Sequence, residues 1–155
     1  MKTSTDNILI KQKMFEACVV KQQSLIKDFK SRLEELIQAR DLETQEMSGA
    51  SKKNTSKKEY DAVFDTLEFA EEELKLLNYL GKNLNKTHDS PELGAVVETN
   101  HGTFFISVSI EEFYVEGKRY YGISTQSPLF KVMRGKHSGD SFTFRDEQYT
   151  IHHIF

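Results

Sequence analysis

Three carboxylates, Asp41, Glu43 and Glu46, sit close together in a stretch that closes with four lysines, Lys52, Lys53, Lys57 and Lys58. Acidic oxygens beside ammonium groups make this the place where the chain could meet a charged partner. The competing reading is a set of solvated residues near a helix end. Other side chains with chemical capacity are dispersed. Cys18 is the single cysteine, which excludes a disulfide framework and a cysteine-based zinc site. His152 and His153 adjoin on a predicted strand, so alternation sends them to opposite faces and they are not a simple chelating pair. His88, His101 and His137 fall in linker or turn positions.

The charged stretch needs elements to present it. From Asp41 to Lys58, small, polar and charged residues, Ser48-Gly49-Ala50-Ser51 among them, lack the apolar spacing that packs a helix face, so chain reversal is expected there. On both sides the spacing is helical. Phe15, Val19, Gln22, Ile26, Phe29, Leu33 and Leu36 advance by steps of four and three, a stripe that stays turned towards a partner helix. Cys18 and Leu25 widen it, and Gln22 interrupts it with a group that can set register. The return helix is expected to begin near Ser56, with Glu59 completing a capping box. Its seam is Tyr60, Val63, Leu67, Ala70, Leu74 and Leu77, broadened by Phe64, Phe69 and Leu80, and Gly81, Asn83 and Asn85 mark its end. Two helices of ~30–38 residues make a hairpin ~45–55 Å long.

A polar linker, Lys86 to Glu92 with Pro91 inside it, separates residues 1–85 from a second domain at 93–155. After it the period changes from that of a helix to that of a strand. Ala95–Thr99 and Thr103–Val108 read as strands joined by Asn100-His101-Gly102, and Glu116-Gly117 is a hairpin turn leading into Arg119–Ile123. Ser141–Phe144 and Gln148–His152 are joined by Arg145-Asp146-Glu147. The expectation is a five- or six-stranded antiparallel sheet with one short helix, Pro128 to Arg134, laying Leu129, Val132 and Met133 across it. The fold class is α+β. At 155 residues, 37% hydrophobic and 29% charged, the chain is polar for one globule and fits an extended helical element. Charge is evenly spread: residues 1–89 hold 15 basic and 16 acidic side chains and residues 90–155 hold 6 and 8, so independent nucleic-acid binding is not expected. No apolar run suits a signal peptide or a membrane span, and the expected setting is cytoplasmic and reducing, away from membranes.

Ser127 to Asp140 carry a more specific pattern: Ser127-Pro128-Leu129-Phe130, a short amphipathic helix, Gly135-Lys136, then Gly139-Asp140 before the last hairpin. Ser127 suits an N-cap and Pro128 the first helical position. The segment resembles the C-terminal signature of the bacterial Gre transcript-cleavage factors, and Ile123-Ser124 before it and Tyr149, Ile151 and Ile154 after it fit the same template. With the preceding hairpin, the resemblance covers most of the chain. It implies an N-terminal antiparallel coiled coil and an FKBP-like C-terminal domain, with RNA polymerase as the partner. The C-terminal domain would dock on polymerase, here through Gln126, Ser127, Pro128, Leu129 and Phe130, and the coiled coil would enter the secondary channel. In cleavage-competent members, tip carboxylates help hold a magnesium ion and water at the polymerase active centre, where the ion generates the nucleophile that hydrolyses backtracked RNA. Carried onto this chain, that role falls to Asp41, with Glu43 or Glu46 second, and Asp41 and Glu43 are the metal candidates. No cofactor is implied beyond a magnesium ion shared with polymerase, and no active site of the chain's own.

The tip departs from the family pattern. Asp41-Leu42 matches, but Gln45 stands where an acid is expected, the family's asparagine is missing, and Glu59-Tyr60 resembles the family's Glu-Tyr pair displaced by a longer loop. Gln126 and Phe130 replace the usual Asn or Asp and a small residue. The expectation is a transcription elongation factor that binds polymerase while its tip stimulates cleavage poorly or not at all. Alternatives are a non-cleaving regulator of the same channel, a relative of the nucleoside diphosphate kinase regulators (which share the C-terminal domain with a shorter coiled coil), and a coiled-coil adaptor unrelated to transcription. FKBP-like topology also raises prolyl isomerase activity, but fold does not imply function and no aromatic-lined pocket is recognisable.

Overall fold

A computed structural model describes the backbone of residues 3–45 and 50–155 and the side chains of 3–42 and 57–155. Two long helices come first, α1 (Ser4–Gln45) and α2 (Ala50–Leu80), the second running into a 3-10 turn at Gly81–Asn83. Both helices reach further into the polar stretch than apolar spacing predicts. Asp41 lies inside α1, and Ser56, expected to cap the return helix, lies inside α2. The reason is propensity. No glycine or proline interrupts residues 50–80, and the lysines and alanine there form helix readily without a buried face. Glu46 to Gly49 lie outside the described residues.

Six strands and a third helix follow: β1 (Val96–Thr99), β2 (Gly102–Ile106), β3 (Ile110–Val115), β4 (Lys118–Ile123), α3 (Pro128–Met133), β5 (Ser141–Phe144) and β6 (Glu147–Ile154). They form one sheet in the order β3-β4-β2-β1-β6-β5. Its pairs are antiparallel except β2 with β4, which is parallel, so the sheet is mixed and not antiparallel throughout as predicted. The chain leaves β2, takes the outer edge as β3, and returns as β4 between the two. Gly122 permits that crossing, because an added Cβ would meet the Val108 carbonyl oxygen at 2.9 Å. The Ser107 N–H donates to the Ile123 carbonyl at 2.8 Å and closes the crossover. Two hairpin turns carry paired positive φ, at Glu116 (53°) and Gly117 (78°) and at Arg145 (51°) and Asp146 (64°), the turn geometry that matches strand twist.

The chain forms two compact units, Met1–Lys21 with Lys75–Phe155, and Gln22–Leu74. This division falls within the helices and not at the 86–92 linker.

In the first unit, both faces of the sheet are covered. Val96 and Phe105 join Met14, Cys18 and Leu77 in one cluster, while Val97, Phe104 and Ile106 join Leu129, Phe130 and Met133 in the other. Neighbouring residues on a strand point to opposite faces, so β1 and β2 must be apolar on both. Residues 93–155 alone would lack one side of this core. Each lost side chain of Met or Leu size would forgo ~1.5–3 kcal/mol of burial. Lys13 pairs with Glu116, and the Lys21 ammonium donates to the Glu112 carbonyl, tying the start of α1 to the β3–β4 hairpin.

The second unit pairs the remainder of α1 with the first part of α2. Ile26, Leu33, Leu67 and Ala70 share a core that half-buries Phe29, Tyr60, Val63 and Leu74. Gln22 Nε2 donates to the Ala70 carbonyl at 3.0 Å and Arg32 lies 3.9 Å from Glu59, an antiparallel progression from which the exposed Lys30–Glu71 pair, at 3.8 Å, departs. Gln22 is buried, and sliding one helix past the other would leave its amide unpaired, which sets the register. Phe64 and Phe69, expected to broaden the seam, stand 40% and 62% exposed. No helix of the described residues is long and apolar enough to cross a membrane.

Candidate functional site

The segment around α3 is built as its residues predict. Ser127 takes an extended conformation (φ −69°, ψ 146°), and its Oγ accepts from the Phe130 N–H at 3.1 Å, with Pro128 in the first turn. Gly135 follows at φ 82°. Gly139, at φ 91°, donates its N–H to the Ile151 carbonyl at 2.7 Å, and Ile151 N–H returns a bond to the Asp140 carbonyl at 2.9 Å. Asp140 Oδ2 accepts from the His137 N–H at 2.7 Å, so the loop closes on itself before the chain enters β5.

The side chains distribute differently from expectation. Phe130, anticipated as an exposed anchor, is 7% exposed and packs with Leu129 and Met133 against the sheet, while Val132, anticipated as inward, turns outward. A six-residue helix lying flat on a sheet buries one side only, and the aromatic ring claims it. The exposed residues of this region are Gln126, Pro128, Lys131, Val132 and Arg134. Of the predicted docking residues, Gln126 and Pro128 are therefore presented to solvent. Ser127 is engaged in capping, and Leu129 and Phe130 hold the helix from beneath. Lys131 and Arg134, outside the expected set, are exposed beside them; Lys131 follows Pro128 by three residues, opposite Leu129 and Met133 on the helical wheel.

The tip carboxylates are less well placed. Asp41 is exposed on α1, Glu43 belongs to α1 with its side chain outside the described residues, and Glu46 lies outside them altogether. On a helix continuous to Gln45, positions 41 and 43 diverge by about 200° around the axis. A four-residue step from Asp41 leads to position 45, which is a glutamine. Magnesium demands near-octahedral oxygen ligands, and the helical steps of three and four from Asp41 meet Ile37, Gln38, Thr44 and Gln45, none of them a carboxylate. Among the described side chains of this stretch only Asp41 is a candidate ligand, and Glu43 and Glu46 lie outside them. Among the described residues no group of three or more His, Cys, Asp and Glu side chains comes together to hold a metal.

The histidines keep apart, though for a different reason at the last strand. The β1–β6 pairing shifts register between Glu98 and Thr99, whose partners are His153 and Ile151. That bulge breaks strict alternation, so His152 and His153 are both exposed and do not divide between two faces as expected. His101 Nε2 lies 3.0 Å from the Gln148 carbonyl, its ring tilted on Tyr149. His88 is buried with Nδ1 2.5 Å from Glu92 Oε1. Burial lowers the imidazole pKa, and the shared hydrogen bond lowers that of the carboxylate. Burial pushes the Cys18 thiol up to about 12, which makes it a packing group and not a nucleophile.

One buried cation was not anticipated. Lys11 is 2% exposed, its Nζ donates to the Lys86 carbonyl at 3.3 Å, and it lies 5.7 Å from the centre of the Phe155 ring. Burial draws its pKa down to about 8. The signal was present, since Lys11 is one four-residue step before Phe15 and so extends the apolar stripe.

Taken together, the class defined by fold and site is an α+β protein with an antiparallel helix pair and a six-stranded mixed sheet covered on both faces. No protein-family model, characterised protein or solved structure gives a significant match to the chain.

Proposed function

We propose that this protein is a Gre-like factor that binds RNA polymerase through an FKBP-like docking domain and places an antiparallel coiled coil in the secondary channel. The observation that supports the reading is the Ser127–Asp140 segment, which carries the Ser-Pro-Leu, Gly-Lys and Gly-Asp positions of the signature with Phe130 departing from it, forms a capped short helix and leaves Gln126, Pro128, Lys131 and Arg134 exposed. The pairing of α1 with α2 through Gln22 and Ala70 supports the coiled-coil half. Cleavage of backtracked RNA is weak or missing in this reading. In this reading the polymerase supplies the magnesium ion and most of its ligands, because the helical steps of three and four from Asp41 meet no carboxylate on α1.

The test uses the full chain. Retention on core RNA polymerase is expected, with Lys131→Glu together with Arg134→Glu weakening it by about tenfold, since rim charges set encounter and orientation. The chain should compete with a cleavage factor for polymerase while leaving backtracked transcripts intact. Absence of retention would overturn the whole reading. Vigorous cleavage abolished by Asp41→Ala would overturn only the claim that the tip is inactive.

A further inference from the structure

A cleft of about 250 Å³ opens beside the start of α1, and its lining includes Asn7, Lys11, Lys86, His88, His153 and Phe155. Its charge is one-sided, because two lysines and two histidines line it and no aspartate or glutamate does. Lys11 is its most buried cation. One of its three N–H groups is used on the Lys86 carbonyl, and among the described residues it has no carboxylate partner. Asn7 Oδ1 is buried there too, with no donor to accept from. Buried charges are ordinarily paired and buried polar atoms ordinarily bonded. The space far exceeds the ~30 Å³ that a water molecule occupies.

We propose that this cleft binds a small phosphate monoester, its phosphate on the Lys11 ammonium and its organic part against the Phe155 ring. Donors converge from three separate segments, namely α1, the 84–88 connection and β6. Such convergence suits the tetrahedral oxygens of a phosphate better than the planar pair of a carboxylate. Asn7 Oδ1, buried and without a partner, supplies an acceptor for a hydroxyl or amine on the organic part. A bound dianion also supplies the counter-charge that Lys11 lacks, so it raises the lysine's pKa again. Burial holds the His88 imidazole below its ordinary pKa and the His88 hydrogen bond holds the Glu92 carboxylate below its own, whereas Lys11 is drawn down to about 8, so the proton taken up on binding at about pH 8.5 is assigned to Lys11. The inference stands independently of the polymerase reading.

The experiment is calorimetric titration of the full chain with inorganic phosphate and, separately, with phenyl phosphate. Both should bind at pH 7, phenyl phosphate about tenfold more tightly, and Lys11→Met should weaken both by about tenfold or more. Proton uptake at about pH 8.5, read from buffers of different ionisation enthalpy, should be present in the wild type and lost in Lys11→Met. No binding of either probe up to about 100 mM, seen as no titration heat and no rise in Tm, overturns the proposal. So does equal affinity of wild type and Lys11→Met, and equal affinity for the two probes removes the monoester. If Lys11→Met fails to fold, Lys86→Met and Asn7→Ala decide: weakened binding in either supports the site, and unchanged binding in both overturns it.

Discussion

The sheet unit buries both faces of its central strands, whereas the helical unit buries one stripe. In the first, Val96 and Val97, adjacent in sequence, serve two different clusters, and each cluster is closed by a helix. In the second, Ile26, Leu33, Leu67 and Ala70 make a narrow seam flanked by side chains that stay half in water, and Phe69 stands outside it. A two-sided core holds each residue through many neighbours and tolerates little change of volume. A single seam relies on spacing, and one buried hydrogen bond can decide its register. The difference suits one unit to presenting a shaped surface and the other to keeping two helices aligned.

The comparison can be broken most forcefully in the sheet unit. Phe130→Ala should destabilise it by ~3–5 kcal/mol, and Leu67→Ala in the helical unit by ~2 kcal/mol, because a half-solvated seam relaxes around a lost side chain. Denaturant unfolding of both variants checks this, and a larger loss for Leu67→Ala would reverse the ranking. Next is a gain. Lys11 has its pKa drawn from 10.5 down to about 8, so the folded state disfavours its charge. The unfolded chain then binds more protons than the native one between those values, and wild-type stability rises with pH across that window. Lys11→Met should therefore be more stable than wild type by roughly 2–3 kcal/mol at pH 7, an advantage that shrinks towards zero near pH 10.5. Stability measured for both chains across that range is the check, in buffer free of phosphate.

Smaller effects sharpen the contrast within the helix pair. Gln22→Ala removes the donor to the Ala70 carbonyl and should cost ~1–2 kcal/mol, whereas Gln22→Leu should restore most of the stability while loosening the register. Spin labels at exposed positions on the two helices would report a broadened distance distribution in Gln22→Leu. Smallest of all, Phe69→Ser should stay within ~0.5 kcal/mol of wild type, since the ring stands 62% exposed. A larger loss would show that the seam is wider than its buried residues indicate.

Much of this was legible in the residues, for reasons that differ by element. The helix seams show because steps of three and four survive any exposed substitution. The cap at Ser127-Pro128 shows because a hydroxyl and a fixed φ act within one turn. The turns at Glu116-Gly117 and Arg145-Asp146 follow from their short links between alternating runs. The extent of the helices into the polar stretch was not legible in apolar spacing, because that signal reports only a packed face, whereas alanine and lysine favour helix by propensity without one. The burial of Phe130 was not legible, because nothing local says which side of a six-residue helix a large ring will take. His152 and His153 defeated alternation because a bulge adds one residue to one strand and none to its neighbour.

By itself, then, the sequence determined the α+β class, the antiparallel run of two helical segments joined at a polar stretch, the cap and helix of α3, and the isolation of Cys18. Each of these follows from rules that act over a few residues: periodicity, capping and turn chemistry. Tertiary structure alone decided the parallel pairing of β2 with β4, the covering of both sheet faces, the burial of Phe130, and the seating of Lys11 beside Lys86 and Phe155. Those outcomes depend on which distant segments converge. Gly122 has meaning only once the Val108 carbonyl lies over it, and a lysine becomes a buried cation only when residues more than seventy positions away close around it.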